Sequence, residues 1–358
     1  MKKLRFHVPD KSGKSKCHTM HIGKHTKECT PLSVHETAIQ KVKSDTYLGD
    51  IIADDGKNKL NIEARVAKGL GIVSQILDIL KSVSFGIHYF EIAATLRESI
   101  LINGMLFNSE VWYGLTETEV GQLEEVDRLL LRQVFNVAGS CPTEALYLEL
   151  GCVPIGIVIK SRRINYLHHL STRNTSEMIY NFFMAQWNHP ARKNEWTVQV
   201  KADLEEFGLD DDLPWIMSKS KPVFKNLVKK QARELALENL LRKKEGHSKM
   251  ENLSYTRLEI QEYLRDPKLS INQAKTIFRF RTRMERFGEN FKGGQPTKPC
   301  PVCQESTDTQ SHSFQCRVTR ENIIVNGNYM EVFSSEMDKK LAETIENIVK
   351  FREGYMED

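Results

Sequence analysis

The sequence predicts a mainly α protein with a small β element near its N-terminus. Apolar residues recur at threes and fours through much of the chain, a spacing typical of amphipathic helices. A short β-type run, YLGDII, precedes the turn dipeptide Asp55-Gly56. With 40% hydrophobic and 27% charged residues, the chain can bury a core.

The helices can be placed in chain order. After the turn, the apolar stripe from Ile62 to Leu80 predicts the first helix, and a second is predicted from about 89 to 107. Capping boxes that begin at Thr116 and Ser270 predict two further helix starts. The remaining helices are predicted in EALYLEL, in IGIVIKSRRINYLHHL, in residues 176–187 and 195–209, in the long basic segment that starts PVFKNL, and in the tail between about 319 and 355.

Composition narrows the class of protein. The chain has 358 residues, a net charge of +4 and seven cysteines. It shows no signal-peptide core and no apolar run near the ~18 residues that a membrane span needs. We therefore predict an intracellular protein, nuclear or cytoplasmic, without a membrane partner and with cysteines as thiols or metal ligands. With so small a net charge, a nucleic-acid surface must come from local clustering.

The strongest chemical signal is Cys300-x2-Cys303-x8-His312-x3-Cys316. Three thiols and one imidazole are a ligand set that zinc takes in closed, structural sites. The sequence thus predicts a structural zinc ion at these four residues, and the alternative is four unrelated side chains. An earlier group (Cys17, His18, His21, His25 and Cys29) lies in a strand-like run that would point neighbours to opposite faces, so we predict no metal there.

Ala53-Asp54-Asp55 has the letters of a polymerase metal site. Such a site needs paired aspartates on a hairpin between apolar strands. Here the apolar run before the triplet fits, but polar residues and a helix follow it. We predict an exposed turn at Asp54 and Asp55.

Three segments mix cations with aromatic residues, a pattern that can bind phosphates and stack bases. The alternative for each segment is a solvated helix face with buried rings. The candidate nucleic-acid ligands are Arg162 and Arg163; Lys225, Lys229 and Lys230; and Arg279, Arg281, Arg283 and Arg286.

Several ordered pieces resemble the C-terminal part of non-LTR (LINE-like) retrotransposon reverse transcriptases. They are TYLGDII, NGMLFNSEVWYGLTETEVGQLEEVDRLLLRQVF, EALYLELG, KSRRINYLHHL, FRFRTRM and the knuckle CPVC with HSFQC. The resemblance covers most of the chain and is most specific between Tyr47 and about Leu170.

The resemblance implies five regions. Residues 1–58 would be the end of the palm, with Tyr47, Leu48 and Gly49 as a primer-grip-like turn, and residues 59–172 a helical thumb. Residues 173–295 would be a basic helical linker, 296–318 a CCHC zinc knuckle, and 319–358 a helical tail. The family's catalytic aspartates lie before Tyr-Leu-Gly and have no counterpart here, so no catalytic residue is assigned. Magnesium would be needed only if the missing palm were supplied.

We therefore expect a truncated reverse transcriptase of this family that binds RNA or an RNA–DNA hybrid, and potentially target DNA. It would be inactive alone. A different class remains open, a helical zinc-knuckle adaptor that binds a protein partner. A third reading is an active enzyme that uses Asp54 and Asp55. The sequence does not specify the oligomeric state.

Overall fold

The computed structural model describes residues 18–22, 32–34, 37–82, 88–189, 195–290, 298–334 and 337–356. These residues are mainly helical, with small β elements near the N-terminus, which confirms the predicted fold class. The helices are α1 Lys59–Ser82, α2 Tyr89–Leu96, α3 Asn103–Met105, α4 Glu117–Phe135, α5 Thr143–Leu150, α6 Ile155–Ser171, α7 Met178–Asn188, α8 Trp196–Glu206, α9 Leu213–Ser218, α10 Lys221–Lys244, α11 Ile271–Arg281, α12 Gln310–Gln315, α13 Arg317–Asn322 and α14 Lys339–Glu353. No helix among these residues combines the length and apolar character needed to cross a bilayer.

The strands form three two-stranded pairings. They are β1 His18–Thr19 with β4 Gln40–Lys41, β2 Ser33–Val34 with β3 Thr37–Ala38, and β5 Ser44–Tyr47 with β6 Asp50–Ala53. The last pairing is an antiparallel hairpin whose turn lies at Leu48 and Gly49, with φ of +49° and +89°. Positive φ at both central residues is what a type I′ turn requires.

The predicted turn at Asp55-Gly56 also forms. The amide of Gly56 donates to the carbonyl of Ala53 at 3.0 Å, and the amide of Lys57 donates to the carboxylate of Asp55 at 2.9 Å. Helix α1 begins directly after this turn, at Lys59. Asp54 and Asp55 therefore lie after the second strand of the hairpin, in the turn that leads to a helix.

Both predicted capping boxes are present, at the starts of α4 and α11. The predicted second helix is correct in extent but not in geometry, because a π-helical turn, Arg97–Ile102, follows α2. This wide turn begins at Arg97, which is buried. The Arg97 guanidinium makes two hydrogen bonds of 2.6 Å to Asp127 and one of 2.9 Å to the carbonyl of Val153. The irregular turn thus coincides with a buried ion pair between two helices.

A single hydrophobic cluster extends from Ile62 to Ile348. Helix α1 packs on α4, α6 packs on α10, and α11 packs on α14. The core therefore crosses the predicted boundary between 172 and 173, although the five-region division itself stays a prediction. Gly151 marks one close approach, since its φ is +65° and a Cβ there would lie 2.4 Å from the carbonyl carbon of Glu259.

Candidate functional site

The four predicted metal ligands come together. One ligand atom from each of Cys300, Cys303, His312 and Cys316 lies within 4.8 Å of the other three. The Cys303 Sγ to His312 Nε2 distance is 3.3 Å. A zinc tetrahedron with Zn–S bonds of about 2.3 Å has edges of roughly 3.8 Å, so shifts below 1 Å would close these atoms around an ion.

Backbone geometry sets these positions. A bridge between Pro299 and Thr307 closes a tight loop, in which the amide of Cys300 donates to Ser306 O at 2.7 Å. Gln304 takes a left-handed φ of +58° at the loop's tip. Helix α12 then begins after Thr309, whose hydroxyl accepts from the amide of His312 at 3.0 Å. The loop therefore presents the first two ligands and one helical turn presents the other two.

The donor chemistry suits a metal ion. Burial would raise the pKa of the Cys303 thiol, but the backbone amides of Glu305 and Ser306 and the His312 ring outweigh it and lower the pKa to about 7. Burial raises the pKa of Cys300. A cation would stabilise both thiolates, since metal binding requires the deprotonated form. The residues present thus fit zinc.

The segment that carries the four candidate ligands, residues 298–316, is called the knuckle below, and an ion pair joins it to the C-terminal helix. Asp308 forms an ion pair with Arg352 of α14 (Oδ1–Nη1 2.7 Å) and accepts from the amide of Gly288 at 2.7 Å. The Arg352 guanidinium carbon lies 4.0 Å from the Phe287 ring centroid, and Phe351 packs on the cysteine cluster. Sequence reasoning missed Asp308 and Arg352, because no pattern marks a pair 44 positions apart as partners.

The structure corrects the prediction that Arg281 and Arg163 bind nucleic acid. Arg281 is 0% exposed, pairs with Glu149 (Nε–Oε1 3.1 Å), and donates to the carbonyls of Val332 and Ser334. Arg163 is buried and makes two hydrogen bonds to Asp203, at 2.7 and 3.0 Å. Both guanidiniums are enclosed with a carboxylate, so neither can reach a phosphate.

Three other predicted arginines are committed to internal partners. Arg162 donates to the carbonyl of Leu106 and to Asn103, Arg279 pairs with Glu285, and Arg283 pairs with Glu251. Arg286 is exposed. The arginines that the sequence gathers near the knuckle therefore do not form one basic face.

The lysines of α10 differ from these arginines in that they face an open groove. Lys221, Lys225 and Lys229 line a large groove, and within the described residues no carboxylate forms an ion pair with them. The predicted ligand Lys230 lies outside that lining and pairs with Glu234 (Nζ–Oε1 3.7 Å). Lys225 and Lys229 thus remain candidates, and the structure adds Lys221, whose four-residue spacing from Lys225 was already a visible signal.

We call this cavity the α6 groove. It has a volume of about 1070 Å³ and is lined by α6, α10, α2 with its π-helical turn, and the segment from Leu150 to Val153. Helix α6 packs on α10, and its Arg162 bonds to Asn103, the residue that directly follows the π-helical turn, so α6 connects the two sides of the groove. Helix α6 is therefore the floor, α10 one wall, and α2 with the π-helical turn the other.

The β5–β6 turn stands at one end of the α6 groove. Tyr47 and Leu48 are 65% and 74% exposed. Asn108, which lines the groove, donates to the Leu48 carbonyl at 3.1 Å, and Arg65 donates to the Gly49 carbonyl at 2.7 Å. The turn is thus held from behind while its side chains face outward.

Asp50 anchors the turn from inside. Its Oδ1 accepts from Arg65, Asn61 and Trp112 at 2.7, 3.1 and 3.2 Å. Burial would raise the pKa of Asp50, but hydrogen bonds from Arg65, Asn108 and Trp112 outweigh it and lower the pKa. The carboxylate is therefore charged and fully used in holding the hairpin.

Of the early cysteine and histidine group, Cys17, His25 and Cys29 lie outside the described residues. His18 Nδ1 lies 2.9 Å from Asp45 Oδ2.

Comparison of the chain with protein-family models, with curated proteins and with solved structures found no match. The resemblance to reverse transcriptases therefore stays a prediction.

Proposed function

We propose that this chain binds nucleic acid and is related to non-LTR retrotransposon reverse transcriptases, with its described residues serving as primer-grip turn, thumb, linker and knuckle. One observation carries the proposal. Three lysines, Lys221, Lys225 and Lys229, line a groove that ends at a hydrogen-bonded, outward-facing hairpin turn, and none of them forms an ion pair with a carboxylate of the described residues. RNA or an RNA–DNA hybrid is the expected ligand, with target DNA as a further one.

The lysine row suits a phosphate backbone. Residues four apart on a helix are separated by about 6 Å along its axis, so the row offers cations at regular steps. Lysines without a carboxylate partner keep their charge for an outside ligand. Each phosphate that they neutralise releases counterions, which makes binding weaken steeply with salt.

Fluorescence anisotropy at several salt concentrations tests the proposal, with a labelled RNA–DNA hybrid that carries single-stranded overhangs. We expect log K to fall linearly with log salt. The double variant Lys225→Ala/Lys229→Ala should reduce the slope by about 0.7–0.9 per lost phosphate contact. Lys230→Ala/Lys243→Ala is the matched control, since both residues are exposed on the same helix outside the groove. Absence of binding at low salt would overturn the proposal.

A second candidate function is a helical adaptor for a protein partner. It is favoured by an exposed apolar face on α7, where Met178 and Phe182 are 73% and 69% exposed, next to exposed Val111 and Tyr113. Exposed apolar surface of this kind commonly marks an interaction site. An adaptor of this type would show no salt-dependent nucleic-acid binding, so the same titration separates the two functions.

We propose further that zinc is the ion of the knuckle and that its role is structural. Four protein ligands leave no open position for water or substrate. When bound, the ion would hold the loop that presents Asp308 to Arg352, and so would tie the knuckle to α14. We expect one zinc per chain by elemental analysis, lost in Cys303→Ser and kept in Cys141→Ser, a buried thiol outside the knuckle. A purified, folded chain without zinc that rebinds none would contradict this role.

A further inference from the structure

We infer that the α6 groove takes one unpaired strand of nucleic acid, about four nucleotides long, and excludes a base-paired duplex, so that an RNA–DNA hybrid would enter it only by a single-stranded overhang. The inference rests on the proposed nucleic-acid binding and specifies which form of nucleic acid this groove accepts. Three features of the groove support it: a basic wall, an apolar floor and an acidic opposite wall.

The basic wall fits a single backbone. Lys221, Lys225, Lys229 and Arg233 follow one another at four-residue steps and all line the groove. The row spans about 18 Å at 1.5 Å per residue, which matches a short extended strand with one phosphate near each cation. Arg233 is half-buried and also donates to the Leu258 carbonyl, so the three lysines are the main phosphate contacts. The length of the whole row sets the strand at about four nucleotides.

The floor of the groove offers apolar surface to the bases. Val158 and Tyr166 of α6 are half-buried and form this surface. Phe224 and Val228 of α10 alternate with the lysines but are only 1% and 0% exposed, so they support the floor from below. A strand whose phosphates lie on the lysines would turn its bases onto this surface. Bases of unpaired strands bind through their faces to aromatic and apolar side chains, with little sequence preference. The volume of about 1070 Å³ leaves room for a few nucleotides.

The opposite wall carries the reverse charge. Glu91 and Glu98 line it, with Glu110 near the hairpin end. Glu91 pairs with Arg265 (Oε1–Nε 3.4 Å), which also lines the groove and offsets its charge. Glu98 is exposed and has no ion-pair partner among the described residues, so it supplies the uncompensated negative charge of this wall. A complementary strand would have to bring its phosphates against these carboxylates, and like charges repel. The same carboxylates can accept hydrogen bonds from base amino groups, which only an unpaired base presents freely.

The charge asymmetry therefore admits one backbone and opposes a second. A groove that was basic on both walls would favour a duplex instead. The predicted consequence is a preference for single strands, RNA or DNA, over blunt duplexes of the same length.

Anisotropy at one fixed low salt concentration tests this inference with four kinds of probe. They are single-stranded RNA and single-stranded DNA, each of 4, 6 and 8 nucleotides, a blunt RNA duplex and a blunt RNA–DNA hybrid. We expect the single strands to bind at least tenfold more tightly than the blunt duplexes, with little gain in affinity beyond about six nucleotides. The variant Lys221→Ala/Lys225→Ala/Lys229→Ala should weaken single-strand binding at least tenfold, and Lys230→Ala/Lys243→Ala should leave it unchanged.

The variant Glu98→Lys tests the acidic wall. It should narrow the preference for single strands by improving duplex binding, while the fold stays intact because Glu98 is exposed. Blunt duplexes that bind as tightly as single strands, with both lost in the triple lysine variant, would overturn this inference and leave the proposed function standing. Failure of all probes, including the overhang hybrid, would overturn both.

Discussion

Helices α10 and α11 are both rich in basic residues, but the fold uses their charges in opposite ways. On α10, Lys221, Lys225 and Lys229 line an open groove without carboxylate partners among the described residues. On α11, Arg279 forms an ion pair with Glu285, and Arg281 forms one with the fully buried Glu149. The position of nearby acidic residues, and not the density of cations, therefore decides which basic segment can bind an outside ligand.

The chemistry of the two cation types supports this division. Arginine presents a planar fork that can satisfy a carboxylate and several carbonyls at once, as Arg281 does with Glu149, Val332 and Ser334. Lysine presents a compact, strongly hydrated charge on a flexible stem, which suits an exposed row. Four changes test this comparison, and they are given in order of decreasing effect on stability.

The largest effect is expected for Arg281→Ala. It leaves Glu149 buried without its charged partner, which typically costs about 3–5 kcal/mol in the free energy of unfolding. Urea denaturation followed by circular dichroism measures this cost. Arg286→Ala, an exposed change in the same segment, should stay within about 0.5 kcal/mol. A stable Arg281→Ala protein with weakened nucleic-acid binding would reverse the roles given to the two helices.

A somewhat smaller effect is expected for Arg352→Met. The change keeps apolar contact with Phe287 but leaves the buried Asp308 with only the Gly288 amide, which should cost up to about 3 kcal/mol. Hydrogen exchange should accelerate in α14 while zinc content stays at one per chain. Lys350→Met, which breaks an exposed pair with Glu346, is the control on the same helix. Loss of zinc in Arg352→Met alone would show that the ion pair shapes the metal site itself.

Asp50→Ala should have an intermediate effect on the hairpin, about 1–3 kcal/mol, because Arg65 and Trp112 lose their shared acceptor. The pH dependence follows from the lowered pKa of Asp50. Its stabilising contribution is present above its ordinary pKa of 3.8 and is lost as pH falls through the lower folded value. Wild-type protein should therefore lose more stability than Asp50→Ala between pH 5 and about pH 2. If both proteins lost the same amount of stability over this pH range, the Asp50 carboxylate would not be what holds the turn.

The smallest effect on stability is expected for Lys221→Ala/Lys225→Ala/Lys229→Ala. These side chains have no carboxylate to lose, and like charges four residues apart on a helix destabilise it by roughly 0.2–0.5 kcal/mol per pair. Thermal unfolding should therefore be unchanged or slightly improved. A marked destabilisation would mean that the lysines are structural, as the α11 arginines are.

Local signals made several elements predictable. The capping boxes at Thr116 and Ser270 form because each depends on residues three apart, and the zinc ligands meet because their spacing encodes a tight loop and one helical turn. The mainly α class follows from periodicity, which packing does not override in long amphipathic segments.

Other features depend on distant partners and could not be predicted. The burial of Arg281 requires Glu149, which is 132 positions away. The turn at Tyr47, Leu48 and Gly49 was expected only from the family resemblance, because a leucine at positive φ gives no local turn signal. Asn108, Arg65 and Asp50 hold this conformation. The π-helical turn that begins at Arg97 likewise coincides with a buried ion pair to a distant residue, Asp127.

The contact at Gly151 limits which segments of this protein can be exchanged with those of another protein. Any side chain at this position would collide with the backbone of Glu259, and Leu150 bridges to Ile260. The stretches around residues 151 and 259 must therefore come from the same parent protein when segments are exchanged. A chimera that exchanges residues 59–172 with those of a distant relative should misassemble at this junction, whereas one that exchanges 59–290 as a block keeps both sides of the contact together.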